Sequence, residues 1–131
     1  MADELGKEAR VYAIRLTHPA RQQIEQEYDR QNQITRLEIA DEWRDGLSDA
    51  IRGLATYPKR RNVSLEDELF QKFSPGDILY VIPYRRTRTG PTWRILFSVH
   101  EADKNDPPTV RVQMLRHGAQ APLTHWPEED E

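Results

Sequence analysis

The sequence predicts an α+β domain, because helical and strand-like segments are separated along the chain. Two helix-forming segments lie in the first half, and three strand-forming segments fill the second half. A further strand-like run precedes the first helix. We therefore expect an N-terminal strand, followed by an antiparallel helical hairpin packed on one face of a mostly antiparallel sheet.

Length and composition fit one domain. The 131 residues are 37% hydrophobic and 31% charged, which is enough for one core. The absence of cysteine excludes a disulfide scaffold, a thiolate metal site and a cysteine nucleophile. No apolar run approaches the roughly 18 residues of a membrane span, and the N-terminus lacks the apolar region of a signal peptide. We expect a cytoplasmic protein that needs no cofactor and no metal.

The acidic residues are concentrated at the two ends. Residues 1–9 and 127–131 hold seven of the 22 acidic residues and one of the 19 basic ones, so residues 10–126 carry a net charge of +3. We expect an N-terminal extension over 1–9, one domain over 10–126 and an acidic tail over 127–131. The overall charge of −3 therefore does not argue against a polyanionic partner.

The first elements are a short strand and a helix. Residues 10–16 are rich in strand-forming side chains. Pro19 suits the first position of a helix, and His18 is the expected N-cap. The helix is predicted over 20–33.

The second helix has the strongest periodicity in the chain. Thr35 and Glu38 have the spacing of a capping box, in which Thr35 is the N-cap and Glu38 reaches back. A Tyr-Pro pair at 57–58 ends the segment. Its apolar positions recur at helical spacing and predict a core-facing stripe of Ile39, Trp43, Leu47, Ala50, Ile51 and Leu54.

The remaining chain is predicted to form a short helix and three strands. Residues 64–67 resemble a cap for a helix that carries Leu65, Leu69 and Phe70. The strands are predicted over 77–85, 92–100 and 109–117, with polar, Pro-containing turns between them.

The alternation of apolar and polar residues along the last two strands predicts the sheet face on which two polar side chains lie. Arg94 has the parity opposite to its apolar neighbours, and His117 has the parity opposite to Met114. If the apolar sets face the helices, Arg94 and His117 project together from the open face of the sheet. One bulge in either strand would reverse this placement. The sets expected to face the helices are Trp93, Ile95, Phe97 and Val99 in one strand and Val110, Val112 and Met114 in the other.

Three segments together resemble a known family. They are 12–20 (YAIRLTHPA), 93–99 (WRILFSV) and 112–118 (VQMLRHG). In their order and spacing the chain resembles the RelE/ParE superfamily of bacterial toxins from type II toxin–antitoxin pairs, the plasmid-stabilisation proteins. The resemblance implies a small toxin that a cognate antitoxin neutralises. RelE-like members cleave mRNA on the ribosome without a metal, whereas ParE-like members inhibit DNA gyrase, and fold alone does not separate the two activities.

The RelE-like reading assigns catalytic roles to two residues. Arg94 matches the family's strand arginine, which implies that it clamps phosphate through its planar, permanently charged fork. His117 matches the motif histidine, and an imidazole can donate or accept a proton near neutral pH. On this reading Arg94→Ala abolishes toxicity and leaves the fold intact. Arg94 could instead lie on a solvated sheet face, and His117 could pack structurally.

Further basic and polar side chains are candidates for RNA binding. Arg85, Arg86 and Arg88 cluster in a predicted hairpin loop without an acidic residue, and Arg116 and Gln120 flank the expected site. A solvated loop is the alternative for the three loop arginines.

Two departures from the nuclease pattern keep the alternatives open. Many nuclease members carry an arginine directly after the motif glycine, where this chain has Ala119 and Gln120, and many carry a C-terminal tyrosine, which is missing after Tyr84. We expect a RelE-like, metal-independent mRNA endonuclease that acts on the ribosome and inhibits translation. The alternatives are a ParE-like gyrase inhibitor without enzymatic activity and a catalytically silent member that only binds a partner.

Overall fold

A computed structural model of the chain describes residues 11–127. The predicted extension at 1–9, and residues 128–131 of the predicted acidic tail, lie outside the described residues. Short 3₁₀ turns at Gly53–Ala55 and Pro58–Arg60 follow the second helix. The helices and strands are β1 (Ala13–Leu16), α1 (His18–Ile34), α2 (Leu37–Arg52), β2 (Asn62–Val63), α3 (Asp67–Phe73), β3 (Tyr80–Tyr84), β4 (Trp93–His100) and β5 (Thr109–His117).

The five strands form one mixed sheet in the order β1-β5-β4-β3-β2. β1 runs parallel to β5, and every other neighbouring pair is antiparallel. β1 and β5 can lie parallel because the chain between them is long enough for a crossover. That connection contains the helical hairpin and the other strands. The α+β fold with a mostly antiparallel sheet is therefore confirmed, and the two-residue β2 is an addition that the sequence did not indicate.

One face of the sheet, here called the first face, packs against α1 and α2. The apolar stripe of α2 supplies Trp43, Leu47 and Ile51, which are buried against the sheet. Trp93 meets Trp43 edge-on, with ring centroids 5.5 Å apart. The predicted core stripe of the second helix and the inward set of β4 are thus confirmed, since burial of these side chains is what fixes the hairpin on the sheet.

Both predicted helix caps differ in the structure. Thr17, not His18, precedes α1, and its Oγ1 accepts a hydrogen bond from the backbone N–H of Ala20 at 3.2 Å. Thr35 does not cap α2: its hydroxyl donates to the carbonyl of Gln31 and closes α1, while Arg36 precedes α2 without a side-chain cap. The connection between the helices has only two residues, so Thr35 serves the end of the first helix instead of the start of the second.

A bulge in β5 reverses the alternation of that strand. Leu96 pairs with Met114 and Phe97 pairs with Val112, so Gln113 is an extra residue between them. The carbonyl of Gln113 accepts a hydrogen bond from Thr17 Oγ1 at 2.8 Å, and its amide donates to Ser98 Oγ at 2.9 Å. The prediction that Met114 faces the helices is wrong, because the bulge turns it to the opposite side of the sheet.

The opposite side, here called the second face, is not fully open. Phe70 of α3 packs on Leu96 and Met114, together with Leu79. Leu123 and Trp126 from the C-terminal segment join this cluster, and the Trp126 ring lies 5.0 Å from that of Phe70. The expectation of an open second face is therefore corrected where α3 and residues 118–126 cover the sheet.

The short helix also begins later than predicted. α3 starts at Asp67, and Leu65, which was expected on its buried face, precedes it and is 81% exposed. Phe70 is buried as expected. No helix within residues 11–127 has the length and apolar character needed to cross a bilayer.

Candidate functional site

Arg94 lies on the second face of β4 and is bound to a carboxylate. Its Nη1 donates to Glu66 Oε1 at 2.8 Å and its Nη2 donates to Glu66 Oε2 at 3.0 Å. The side chain of Glu66 is fully buried, and that of Arg94 is only 17% exposed. A guanidinium binds a phosphate through the same pair of parallel hydrogen bonds. Here the carboxylate of Glu66 takes the position that a phosphate would take.

Glu66 has further partners that hold it in the charged form. The hydroxyl of Ser64 donates to Oε1 at 2.7 Å. Burial acts to raise the pKa of the Glu66 carboxyl, but the hydrogen bonds from Arg94 and Ser64, the positive charge of Arg94 and the backbone of Leu123 outweigh it and lower that pKa. Glu66 is therefore ionised at neutral pH. The sequence did not indicate this residue, because residues 64–67 resemble an ordinary helix start.

Arg116 completes this arginine–glutamate cluster, defined as Arg94, Arg116 and Glu66. Arg116 pairs with Arg94 across β4 and β5, and its Nε lies 3.9 Å from Glu66 Oε2. Its Nη2 donates to the carbonyl of Ala121 at 2.7 Å, while the buried Nε has no hydrogen-bond partner among the described residues. Burial and the charge of Arg94 lower the pKa of Arg116, against the opposing effect of Glu66. One carboxylate thus serves two neighbouring cations.

His117 lies at the end of β5 on the side of the first face. It pairs with Trp93 in the register, and the two rings meet edge-on at 4.7 Å. Its Nδ1 accepts a hydrogen bond from the backbone N–H of Ala119 at 3.1 Å. In the neutral ring the proton is therefore on Nε2. The backbone N–H of His117 donates to Oε1 of Gln120 at 2.8 Å, so Gln120 closes the turn after the strand.

The predicted pairing of Arg94 with His117 on one open face is wrong. The bulge at Gln113 brings Arg116, not His117, beside Arg94, and it turns the His117 ring to Trp93. The two predicted catalytic residues nevertheless border the same open cavity of about 530 Å³ at the end of the sheet. Its other walls are Val81, Pro83, Thr92, Gly118 and Ala119.

The three loop arginines have different environments. Arg85 donates from Nε to Thr92 Oγ1 at 2.6 Å and from Nη1 to the carbonyl of Arg88 at 3.1 Å, so it braces the loop between β3 and β4. Arg86 pairs with Glu42 of α2 at 3.2 Å. Arg88 is exposed and has no ion-pair partner within the described part of the chain. Among the described residues, two guanidinium groups of the loop, those of Arg85 and Arg88, therefore have no carboxylate partner.

No group of three or more His, Cys, Asp or Glu side chains within residues 11–127 has an arrangement that could hold a metal ion. The charged and polar groups described in this region are two arginines that share one buried carboxylate and one imidazole at the rim of the neighbouring cavity. Glu66 already occupies the Nη1–Nη2 edge of Arg94, so that edge could clamp an anion only if Glu66 moved away.

Comparison with known proteins gives a likeness of fold. No family model matches the chain, and no curated protein matches it. A solved structure described as the chromosomal ParDE TA system from P. aeruginosa has a chain that superposes with a TM-score of 0.55 at 11% sequence identity. The match covers 83% of this chain and 98% of that chain. At this level of identity the likeness is one of fold, and it extends over most of both chains.

Proposed function

We propose that this chain is the toxin of a toxin–antitoxin pair, and that it acts by binding its target rather than by cutting RNA. The three sequence segments that resemble RelE/ParE toxins and the fold shared with a chain of a ParDE system support the first part. A ParE-like inhibitor of DNA gyrase, active in the cytoplasm and neutralised by a cognate antitoxin, is the corresponding function.

The bidentate pair between Arg94 and Glu66 carries the second part. The Nη1–Nη2 edge of Arg94 could clamp a phosphate group only by displacing a fully buried carboxylate that also accepts a hydrogen bond from Ser64. Removing one partner of such a pair leaves an uncompensated buried charge, which is strongly unfavourable. Arg94 is therefore better suited to holding α3 and residue 66 on the sheet than to binding RNA.

A RelE-like endoribonuclease is the second candidate, favoured by the cavity that Arg94 and His117 share. In that reaction a 2′-hydroxyl attacks the neighbouring phosphate and the 5′-oxygen leaves. The proton of the 2′-hydroxyl would pass to the leaving 5′-oxygen by way of His117, and Arg94, released from Glu66, would stabilise the negative charge on the phosphate. Arg85, Arg86 and Arg88 would bind the mRNA backbone on the ribosome, with Arg116 and Gln120 beside the site.

Controlled expression in bacteria separates the two candidates. The wild type, His117→Ala and Arg94→Lys are induced, and growth, mRNA integrity and plasmid supercoiling are followed. We expect arrested growth with intact mRNA, loss of gyrase supercoiling and full toxicity of His117→Ala. Cleavage of mRNA by the wild type but not by His117→Ala would instead establish the nuclease. Rescue by the product of an adjacent open reading frame tests the antitoxin.

Arg94→Ala is not a suitable variant for this experiment. The sequence-based expectation that it leaves the fold intact assumed an arginine on an open face, whereas this guanidinium neutralises the buried Glu66, so we expect a loss of stability. Arg94→Lys keeps a cation next to Glu66 but lacks the planar fork. A toxic Arg94→Lys protein would argue against phosphate clamping by this side chain.

A further inference from the structure

Two arginines lie side by side on the second face, toward the end of β5 that is remote from His117. Arg15 of β1 and Arg111 of β5 are direct partners in the parallel register. The neighbours of each arginine along its strand pack in the core of the first face, so alternation turns both guanidinium groups to the second face. Neighbouring strands are about 4.8 Å apart, which brings the two cations of this Arg15–Arg111 pair together.

The charges of the Arg15–Arg111 pair are not neutralised within the described chain. Both side chains are exposed, and neither forms an ion pair or a hydrogen bond within residues 11–127. The apolar cluster around Phe70, which covers the second face elsewhere, includes no described residue of β1. Like charges directly opposite each other destabilise a sheet. An anion bound between the two arginines would remove this repulsion.

The pair lines an open cavity with a volume of about 410 Å³. One wall is the sheet and the other is the loop between β4 and β5. A cavity of about 150 Å³ can hold benzene, so this space admits a phosphate group together with an attached sugar. The charged and titratable residues in its walls are Arg15, His100, Glu101, Asp103, Asp106 and Arg111.

The carboxylates of the loop do not compensate the two arginines. Glu101 pairs with Lys59. Asp103 accepts hydrogen bonds from two backbone N–H groups of its own loop, at 2.8 and 2.9 Å. Asp106 is exposed, and its side chain forms no ion pair within residues 11–127. The cavity therefore has a basic sheet side and an acidic loop side, which suits a single anionic group better than an extended polyanion.

We propose that the Arg15–Arg111 pair binds the phosphate group of a small phosphate monoester. Each guanidinium can donate two parallel hydrogen bonds to phosphate oxygens, and both stay charged at every relevant pH. The strand of a nucleic acid fits less well, because its next phosphates would approach Asp103 and Asp106. The site lies apart from the arginine–glutamate cluster, and the inference does not depend on the toxin assignment.

An NMR titration of the full ¹⁵N-labelled chain tests the site. The probe is ribose 5-phosphate at constant ionic strength, and ribose is its uncharged match. The backbone N–H and side-chain Nε–H signals of Arg15 and Arg111 report binding, and the variants Arg15→Gln and Arg111→Gln assign the Nε–H signals. We expect the signals of both arginines to move and saturate with a Kd on the order of 1 mM. Ribose should leave them unchanged.

Variants separate this site from a general attraction between charges. Arg15→Gln and Arg111→Gln should each weaken ribose 5-phosphate about tenfold or more, because each removes charge-assisted hydrogen bonds. Arg61→Gln is the matched control, since Arg61 is also an exposed arginine but does not line the cavity. It should leave the Kd unchanged. Asp106→Asn should tighten binding roughly two- to fivefold, because it removes a repelling carboxylate at a partly exposed site.

Two results would overturn the site itself. One is a set of Arg15 and Arg111 signals that stay fixed up to roughly 50 mM ribose 5-phosphate. The other is a Kd that weakens as much in Arg61→Gln as in Arg111→Gln.

A single-stranded DNA of about 12 nucleotides tests the class of ligand, since backbone binding shows a steep dependence on salt. We expect it to bind more weakly than ribose 5-phosphate. Tighter, salt-dependent binding that is lost in Arg15→Gln and Arg111→Gln would mean that the pair belongs to a nucleic-acid surface, and the small ligand would be wrong.

Discussion

The two faces of the sheet are held in different ways. On the first face α1 and α2 bury a continuous apolar layer, with Trp43 and Trp93 at its centre. On the second face a short helix and a C-terminal segment cover the sheet, and a buried carboxylate binds two arginines beside a small aromatic cluster. The first face is stabilised by a large buried apolar area, whereas the second combines a smaller apolar cluster with a few paired charges.

This difference determines how each face responds to substitution. Apolar contacts are numerous, and removing one leaves the others in place. A buried ion pair responds differently, because the loss of one member leaves the other charged and without its compensating partner. Arg94, which the sequence suggests as a phosphate clamp, is therefore a residue on which the stability of the second face depends.

The largest expected effect is that of Arg94→Ala. The fully buried Glu66 would keep its charge without its main partner, so we expect a loss of about 3–5 kcal/mol in the free energy of unfolding. Urea denaturation measures it. The double variant Glu66→Leu/Arg94→Leu is the control and should recover most of the loss, since apolar replacement of a buried pair is often close to neutral. An Arg94→Ala protein as stable as the wild type would show that the second face does not depend on this pair.

Glu66→Gln should have a smaller, pH-dependent effect. The amide keeps the shape but loses the charge, so we expect a cost of roughly 1.5–3 kcal/mol at neutral pH. Because the folded state lowers the pKa of Glu66, its contribution to stability is present above the ordinary carboxyl pKa of about 4.3 and is lost as the pH falls through the folded value. The difference between wild type and Glu66→Gln should therefore shrink below about pH 4. A difference that stays constant down to acidic pH would contradict ionisation of Glu66.

The sequence was informative about the first face because that face follows from local patterns. The helical spacing of Trp43, Leu47 and Ile51 and the alternation through Trp93 and Ile95 each record which side is buried. The second face depends on contacts between distant positions, 66 with 94 and 116, and on a bulge at Gln113. Sequence periodicity does not indicate such a bulge, because its hydrogen-bond partners, Thr17 and Ser98, are distant from Gln113 in the chain. The sequence therefore indicated Arg94 and Arg116 of the arginine–glutamate cluster, but neither Glu66 nor the geometry that joins the three.

Gly46→Ala tests how tightly the first face is packed. A Cβ atom at Gly46 would lie 2.3 Å from the Tyr84 hydroxyl, which donates to the carbonyl of Trp43. We expect a loss of about 1–3 kcal/mol from overpacking, although alanine is the better helix former. Gly53→Ala is the matched control, because no atom lies within 4 Å of its Cβ position, and it should be neutral or stabilising by up to about 1 kcal/mol. Equal thermal midpoints for the two variants would mean that the helix–sheet contact is loose.

His117→Ala should have the smallest effect, although His117 and Arg94 were predicted as partners. The imidazole is half-buried at the end of β5 and contacts Trp93 edge-on, so its removal should lower the free energy of unfolding by roughly 0.5–1.5 kcal/mol. Urea denaturation gives the size of this loss, and the indole N–H signal of Trp93 should shift while that of Trp126 stays in place. A loss of stability as large as that of Arg94→Ala would show that His117 is needed for folding. The toxicity of His117→Ala would then not test its chemical role. With the small loss expected, the toxicity of His117→Ala reports chemistry rather than folding, because backbone pairing with β1 and β4 holds the strand that carries His117.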